Sequence, residues 1–169
     1  MKPLEAIVAH SKLGIGYDGG LPWKHNADDM KRFEELTAGK TLLMGRKTFE
    51  SLPALLKDRK HFVVSRTQQD HSSEQVTFFQ DVISALYYAD DHPDEQIIVI
   101  GGKMIYHQTF PYTCTYYVTE IKENCLCDVF IDRDDMFEVN NHRKWKSVVT
   151  YEDAVNKFIT YERKMAWEI

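Results

Sequence analysis

Residues 41–51, TLLMGRKTFES, place a short apolar run directly before a glycine and a polar segment. This pattern predicts a buried strand over 41–44, a glycine turn at Gly45, and a short helix over 46–52 that Pro53 ends. Residues 96–102, QIIVIGG, repeat the arrangement, with an apolar strand, two glycines and a helix expected over 103–110. Strands that alternate with helices indicate an α/β fold with a mainly parallel sheet.

The rest of the chain continues this alternation in both directions. No repeat or linker divides it, so we expect one domain over residues 1–169, with helices flanking the sheet and an antiparallel edge at the C-terminus. The further predictions are strands over 4–9, 61–65, 76–79 and 116–121, a helix from an Asn26 cap to about Gly39, a helix capped by Asp81 that ends before Pro93, and two antiparallel strands within 146–165.

Composition and charge exclude several classes of protein. The chain is 43% hydrophobic and 28% charged, which argues against disorder, and its net charge of -5 with scattered basic residues argues against a nucleic-acid binder. No apolar run has the length of a signal peptide or a membrane span. Cys114, Cys125 and Cys127 lack the spacing of zinc or redox pairs, so we expect no metal site and reduced thiols in a cytoplasmic protein.

Asp29 is the candidate for a reactive acid. On the predicted helix it shares the apolar face with Phe33 and Leu36, whereas Asp28 and Arg32 have the spacing of an exposed pair on the other side. A carboxylate on an apolar face is costly unless a ligand or partner satisfies it. Asp29 therefore either only complements the helix dipole or awaits a cationic or amidine-like ligand.

Two strand–glycine–helix junctions are candidate phosphate sites. Gly45 precedes Arg46-Lys47-Thr48, so free N–H groups and two cations face one point, and Gly101-Gly102 precedes Lys103 without side chains that would block a ligand. Adjacent glycines also occur for packing alone, and this alternative stays open. Two such junctions at the carboxyl ends of strands suit the two halves of a dinucleotide.

Two other glycine motifs are rejected as phosphate sites. Residues 14–19, GIGYDG, match the dinucleotide fingerprint, but Pro22 follows too soon for the required helix, so we expect a mobile loop beside the pocket or a plain surface connection. Gly39-Lys40-Thr41 resembles the end of a P-loop, but Glu34 stands where the first glycine belongs.

Ser65-Arg66 follows the strand over 61–65. An NAD site usually has an acid near the adenosine ribose, whereas a 2′-phosphate favours arginine and serine. These two residues, with Arg46 able to converge on them, indicate NADPH as the cofactor.

Over nearly its whole length the chain resembles the dihydrofolate reductases. The resemblance rests on an ordered set of residues. These are Ile7-Val8-Ala9, Gly14-Ile15-Gly16, Leu21-Pro22-Trp23, Asp29 with Phe33, residues 44–51, Ser65-Arg66, Ile100-Gly101-Gly102 and Thr119.

The resemblance implies a mixed eight-stranded sheet and NADPH-dependent reduction of dihydrofolate, with hydride reaching C6 of the pterin and a proton reaching N5. Asp29 would bind the amidine edge of the pterin and favour protonation of N5 through a water, with Thr119 steadying the carboxylate. Leu21 and Trp23 would belong to a loop that closes over the nicotinamide. Arg59 would hold the glutamate carboxylate of the substrate. A monomer is expected.

The resemblance also implies two sets of contacts. The substrate would contact Ile7, Val8, Ala9, Asp29, Met30, Phe33, Thr48, Leu52, Leu56, Arg59, Ile100, Tyr106 and Thr119. The cofactor would contact Ala9, Ile15, Gly16, Gly20, Leu21, Gly45, Arg46, Lys47, Thr48, Val64, Ser65, Arg66, Ile100, Gly101, Gly102, Lys103, Met104, Ile105 and Tyr106.

The chain departs from the family pattern at three places. Lys57-Asp58 replaces a common Pro-Gly before Arg59, residues 127–130 are one residue short of the usual pattern, and the interval from Trp23 to the acid is one residue longer, which makes Asp28 a competitor. Phe33 favours Asp29, because the phenylalanine of the family lies four residues after the acid. The alternative functions are reduction of another pterin or of a ribosylated pyrimidine, or a non-catalytic binding role.

Overall fold

The predicted strands and helices all occur, in the predicted order, and two short strands are added to them. The computed structural model describes residues 2–67, 72–135 and 141–165. The strands are β1 (Leu4–His10), β2 (Gly14–Gly16), β3 (Thr41–Gly45), β4 (Lys60–Val64), β5 (Val76–Phe79), β6 (Ile97–Gly101), β7 (Thr113–Ile121), β8 (Val129–Phe130), β9 (Trp145–Glu152) and β10 (Asn156–Arg163). The helices are α1 (Ala27–Thr37), α2 (Arg46–Ser51), α3 (Val82–Asp91) and α4 (Lys103–Thr109), and a 3₁₀ turn (Phe110–Tyr112) follows α4.

Eight strands form one mixed sheet in the order β5-β4-β3-β6-β1-β7-β10-β9. The first six are parallel to one another, and β10 lies antiparallel between β7 and β9. The predicted fold class, α/β with an antiparallel C-terminal edge, is therefore confirmed. We call the two ends of the parallel strands the carboxyl edge and the amino edge of the sheet.

Apolar clusters cover both faces of this sheet. One joins Val8 of β1 with Val82 and Leu86 of α3 and Ile105 of α4. The other joins Ile7 of β1 with Leu42 and Met44 of β3, and Phe33 of α1 packs against it. Neighbouring residues of a strand point to opposite faces, so β1 contributes to both clusters and separates them.

Side-chain hydrogen bonds fix the starts of two helices, and strand pairing fixes the start of β7. Asn26 Oδ1 accepts from Asp29 N at 3.1 Å at the start of α1, and Asp81 Oδ1 accepts from Ser84 N at 2.7 Å at the start of α3. β7 starts at Thr113, three residues before the predicted start, because its first residues pair with β1. The pairing partner, which sequence periodicity does not reveal, decides where this strand begins.

A second, two-stranded sheet was not predicted. β2 pairs with β8, and Gly14 lies opposite Phe130. Both strands have at most three residues, which is too short for a period-2 pattern to identify them.

The cysteines at 114, 125 and 127 are free, as expected. None of the helices within the described ranges is long and apolar enough to span a membrane.

Candidate active site

Asp29 lies in the first turn of α1, close to the carboxyl edge of the sheet. The Asn26 cap fixes this turn, and Asn26 Nδ2 donates to Asn156 Oδ1 of β10 at 2.7 Å, which ties the start of the helix to the sheet. The side chain of Asp29 is half-buried, whereas Asp28 is exposed. The structure therefore favours Asp29 over its neighbour as the acid of the site.

The surroundings of Asp29 change its protonation. Burial raises its pKa, while a hydrogen bond with Thr119 of β7 and the positive charge of Arg32 lower it, and burial prevails. The pKa of Asp29 thus lies above the ordinary value of 3.8. A carboxyl group in this state can bind an amidine-like edge when ionised and can hold a proton more readily than an exposed aspartate.

A cavity of about 140 Å³ opens beside this carboxyl group. Trp23 is 8% exposed and forms part of its wall, whereas Leu21 is 58% exposed and stands at its rim. The loop before α1 therefore places an apolar side chain where it can cover a bound ligand. The lining residues are Leu21, Trp23, Lys24, His25, Asn26, Asp29 and Met30.

The glycine-rich segment is held by residues far away in the sequence. Residues 14–16 of it form the strand β2, which corrects the expectation of a loop over 14–19 for this part of the segment. Asp128 N donates to Gly16 O at 3.0 Å, and Asp18 N donates to Asp128 Oδ2 at 2.9 Å. A Cβ at Gly14 would lie 2.1 Å from Cys127 Sγ, so only glycine fits this contact. Asp128, which lies in the segment that is one residue short of the family pattern, thus supports the loop beside the cavity.

An apolar wall extends from Asp29 along α1. Ile7 belongs to the buried cluster on this face, and Phe33, Leu52, Leu56 and Ile100 pack against it. Val8 does not join them, because its side chain lies in the cluster on the other face. A contact of Val8 with a pterin on this face, which stays a prediction, would therefore be made by its main chain.

Arg59 lies in a second cavity, of about 560 Å³, at the amino edge of the sheet. Its Nε is buried and has no hydrogen-bond partner among the residues described. Asp58 has a φ of 55°, so the turn before Arg59 keeps a left-handed conformation although aspartate replaces the usual glycine. The departure at Lys57-Asp58 has not removed the turn.

The two glycine junctions lie side by side, because β3 and β6 are neighbours in the sheet. A Cβ at Gly102 would lie 3.3 Å from Thr48 Oγ1. Gly101 has a φ of 111°, and a Cβ there would lie 2.8 Å from the ring of Tyr106. The Tyr106 hydroxyl donates to Ile7 O at 2.7 Å. Close packing thus requires glycine at 101, and the same lack of side chains leaves the main chain open to a ligand.

The expected 2′-phosphate site is only partly arranged for an anion. Gly45 lies opposite Val64 in the sheet, so Arg46 and Ser65 leave it side by side. Arg66 is exposed, but Arg46 Nη1 pairs with Glu50 Oε1 at 2.7 Å, and Ser65 Oγ lies 3.1 Å from Thr67 Oγ1. Thr67 is a polar group at this site that the sequence analysis missed.

Comparison with known proteins agrees with this architecture. The family model described as dihydrofolate reductase matches residues 3–167. The chain belongs to the dihydrofolate reductase family. It is 36% identical over 154 residues to dihydrofolate reductase type 9 of Escherichia coli, which covers 88% of this chain and 83% of that protein. It is 32% identical to the dihydrofolate reductase of Bacillus subtilis over 159 residues, covering 89% and 88% of the two chains.

A solved structure of the family has the same fold. The dihydrofolate reductase from Enterococcus faecalis, complexed with NADP(H) and RAB-propyl, superimposes with a TM-score of 0.79. It is 31% identical in sequence, and the match covers 96% of this chain and 97% of that one.

The residues expected to form the dihydrofolate reductase site range from the surface to the core. Exposed members are Gly20, Leu21, Met30, Lys47, Arg66, Lys103 and Met104. Half-buried members are Ala9, Ile15, Gly16, Asp29, Phe33, Gly45, Arg46, Thr48, Leu52, Leu56, Arg59, Val64, Ile100 and Gly102. Buried members are Ile7, Val8, Trp23, Ser65, Gly101, Ile105, Tyr106 and Thr119.

One expectation about α1 is wrong. Arg32 does not form an exposed pair with Asp28, since it is 8% exposed and its guanidinium lies against β7 and β10. The one sequence signal for a position of Arg32 near the acid was its place three residues after Asp29, because helical residues at that spacing are neighbours.

Proposed function

We propose that this chain reduces 7,8-dihydrofolate to 5,6,7,8-tetrahydrofolate with NADPH, as a monomeric domain over residues 1–169 that works in the cytoplasm. The observation that carries the proposal is the half-buried Asp29, which lies beside Thr119 and lines the cavity under Leu21 and Trp23. The order of motifs along the chain and the family membership support the same reaction.

Asp29 binds the amidine edge of the pterin as an ionised carboxylate. Thr119 keeps that carboxylate in place, since a hydrogen bond between the two groups lowers the pKa of Asp29. The net rise of this pKa by burial allows Asp29 to carry a proton near neutral pH more often than an exposed aspartate would. Asp29 then favours protonation of N5 through a water, which balances the hydride gained at C6.

The residues at the carboxyl edge fit a dinucleotide. NADPH supplies the hydride when it is bound. Gly45, Gly101 and Gly102 leave room for a ligand against the main chain, with Thr48 between the two junctions. Arg66 is exposed and can meet a 2′-phosphate, whereas Arg46 has to leave its ion pair with Glu50 to do so.

The apolar wall and Arg59 fit the remainder of dihydrofolate. Phe33, Leu52 and Leu56 offer flat and branched apolar surfaces for the benzoyl ring. Arg59 follows them at the amino edge, and its buried, unpartnered Nε suits a carboxylate ligand such as the glutamate of the substrate.

The direct test mixes the protein with NADPH and dihydrofolate and follows absorbance at roughly 340 nm, where reduced nicotinamides absorb. We expect absorbance to fall only when both compounds are present. A folded protein that gives a flat trace would contradict the proposal. Turnover of a ribosylated pyrimidine or another pterin in place of dihydrofolate would instead assign a related reductase, and NADPH binding without turnover would assign a binding role.

A further inference from the structure

Arg32 is a buried cation close to the acid of the proposed site. It lies on α1 one turn after Asp29, and its guanidinium enters the space between the helix and the sheet. Nη1 donates to Val118 O at 2.8 Å and to Thr119 Oγ1 at 3.0 Å, and Nη2 donates to Ile159 O at 3.2 Å. Carbonyls from two strands and one hydroxyl therefore fix its position.

This cation has no carboxylate in direct contact. None of the ion pairs within 4.0 Å in the described ranges includes Arg32, although its ring contact places the guanidinium carbon 4.7 Å from the centre of the Phe158 ring. A buried charge is costly unless an opposite charge lies near. Asp29 is the acid whose charge acts on Arg32, and the Thr119 hydroxyl, which accepts from Arg32, also interacts with Asp29.

The Thr119 hydroxyl has only one hydrogen to give. Because Arg32 donates to Thr119 Oγ1, that oxygen already serves as an acceptor on this side. Its own hydrogen is then available to another acceptor, and Asp29 is the carboxyl group whose pKa a hydrogen bond with Thr119 lowers. Donors arranged in series polarise one another, which strengthens the last bond of the chain.

We propose that Arg32 is a positioning residue that acts through Thr119 to hold Asp29 in its ionised form and in a fixed orientation. The proposal rests on the proposed function, because it assigns a role to Asp29 in the same reaction. It explains why a cation is buried where the helix could have placed an apolar residue.

Two tyrosines also interact with Asp29 and Arg32, but both stay neutral near pH 7. Burial together with the Asp29 charge raises the pKa of Tyr106 of α4, so this tyrosine stays neutral. Tyr117 of β7 interacts with Arg32 by charge, and burial raises its pKa to about 12. Neither changes charge near neutral pH. Lys24 and His25 line the cavity beside Asp29 from the preceding loop, and Arg32 is the cation whose charge lowers the pKa of Asp29.

The test measures hydride transfer in single turnovers as a function of pH, so that product release does not limit the rate. We expect the rate to fall as pH rises through the pKa of Asp29. In Arg32→Met that midpoint should move up by about one pH unit, the lower end of the effect of an arginine beside an aspartate. Lys31→Met is the matched control, because it removes one positive charge from the same helix at an exposed position.

Three further variants separate charge from hydrogen bonding and from folding. Arg32→Lys keeps the charge, so it should restore more than half of the shift. Arg32→Gln can donate to the same acceptors without the charge, so it should shift like Arg32→Met and takes its place if that variant does not fold. Thr119→Val removes the hydroxyl link, so it should raise the midpoint by itself, and Arg32→Met should add less in this background.

The proposal is overturned if folded Arg32→Met or Arg32→Gln has the midpoint of Lys31→Met. It is also overturned if Thr119→Val leaves the midpoint in place, or if the shift caused by Arg32→Met is the same with and without the Thr119 hydroxyl. The unaltered protein is assayed first. If it does not oxidise NADPH with dihydrofolate, the proposed function fails, whereas an active protein with an unmoved midpoint counts against Arg32 alone.

Discussion

Two acidic residues, the half-buried Asp29 and the buried Glu95, lie at opposite edges of the same sheet, and their pKa values are shifted in opposite directions. Burial raises the pKa of Asp29 more than Thr119 and Arg32 lower it. Burial also acts on Glu95, at the amino edge, but hydrogen bonds from Lys60 and Thr41 outweigh it and leave the pKa of Glu95 lowered. Glu95 is 5% exposed, so its burial is at least as complete.

The difference lies in the partners. Glu95 Oε1 accepts from Lys60 Nζ and Glu95 Oε2 accepts from Thr41 Oγ1, so both of its oxygens are used within the protein. By contrast, Asp29 interacts with the hydroxyl of Thr119 and with the charge of Arg32, and Arg32 donates a hydrogen bond to Thr119. An acid with satisfied oxygens stabilises the fold, whereas an acid with unused hydrogen-bonding capacity is available to a ligand.

The largest expected effect is on turnover at the carboxyl edge. Asp29→Asn should keep the fold and slow turnover by about 10²–10⁴-fold, since it removes general acid–base assistance. Steady-state assays with NADPH and dihydrofolate measure this. Asp28→Asn, at the exposed neighbour, is the control, and a greater loss there would move the acid to Asp28.

Cations at the carboxyl edge should affect the preference for NADPH over NADH, and a cation at the amino edge should not. Arg66→Ala should reduce the preference for NADPH over NADH by about 10–100-fold, the value of a charged hydrogen bond. Arg46→Ala should reduce it less, because Arg46 is already paired with Glu50. Ratios of kcat/KM for the two cofactors test this. Lys60→Ala at the amino edge should leave the ratio unchanged, and a parent enzyme without preference would refute the assignment.

Glu95→Gln should weaken the fold and spare the reaction. We expect the free energy of unfolding to fall by about 1–3 kcal/mol at pH 7, because Lys60 and Thr41 lose a charged acceptor. A lowered folded-state pKa gives stability that is present above the ordinary value of 4.5 and is lost as pH falls through the lowered value. The deficit should therefore shrink in acid, as denaturant unfolding at several pH values would reveal. A loss of turnover in the folded variant would contradict this separation of roles.

The smallest effect is a gain in stability. Asp29→Asn should raise the free energy of unfolding by about 1 kcal/mol at pH 7, as often follows when a strained functional site is relieved. A raised folded-state pKa makes the native state bind more protons, so stability falls as pH rises above the ordinary value of 3.8. The gain should disappear below that pH, and thermal unfolding at both pH values tests it. A loss of stability at pH 7 would mean that Thr119 and Arg32 outweigh burial.

The sequence by itself determined the order of elements and the family. Strand, glycine and helix follow one another around Gly45 and around Gly101, and this pattern is local, so periodicity and turn chemistry predict it. The position of Asp29 on an apolar helix face is local as well. The chain could therefore be assigned to its reductase family before any contact was known.

Only the tertiary structure decided how these pieces interact. Arg32 is buried because acceptors on β7 and β10, 86 and 127 residues further along the chain, meet its guanidinium. Asp128 holds the glycine-rich segment from a distance of 110 residues. Helical spacing alone predicted an exposed pair of Arg32 with Asp28, because spacing takes into account only residues of the same helix. Such contacts depend on strands that are distant in sequence and adjacent in the sheet, and no local pattern records them.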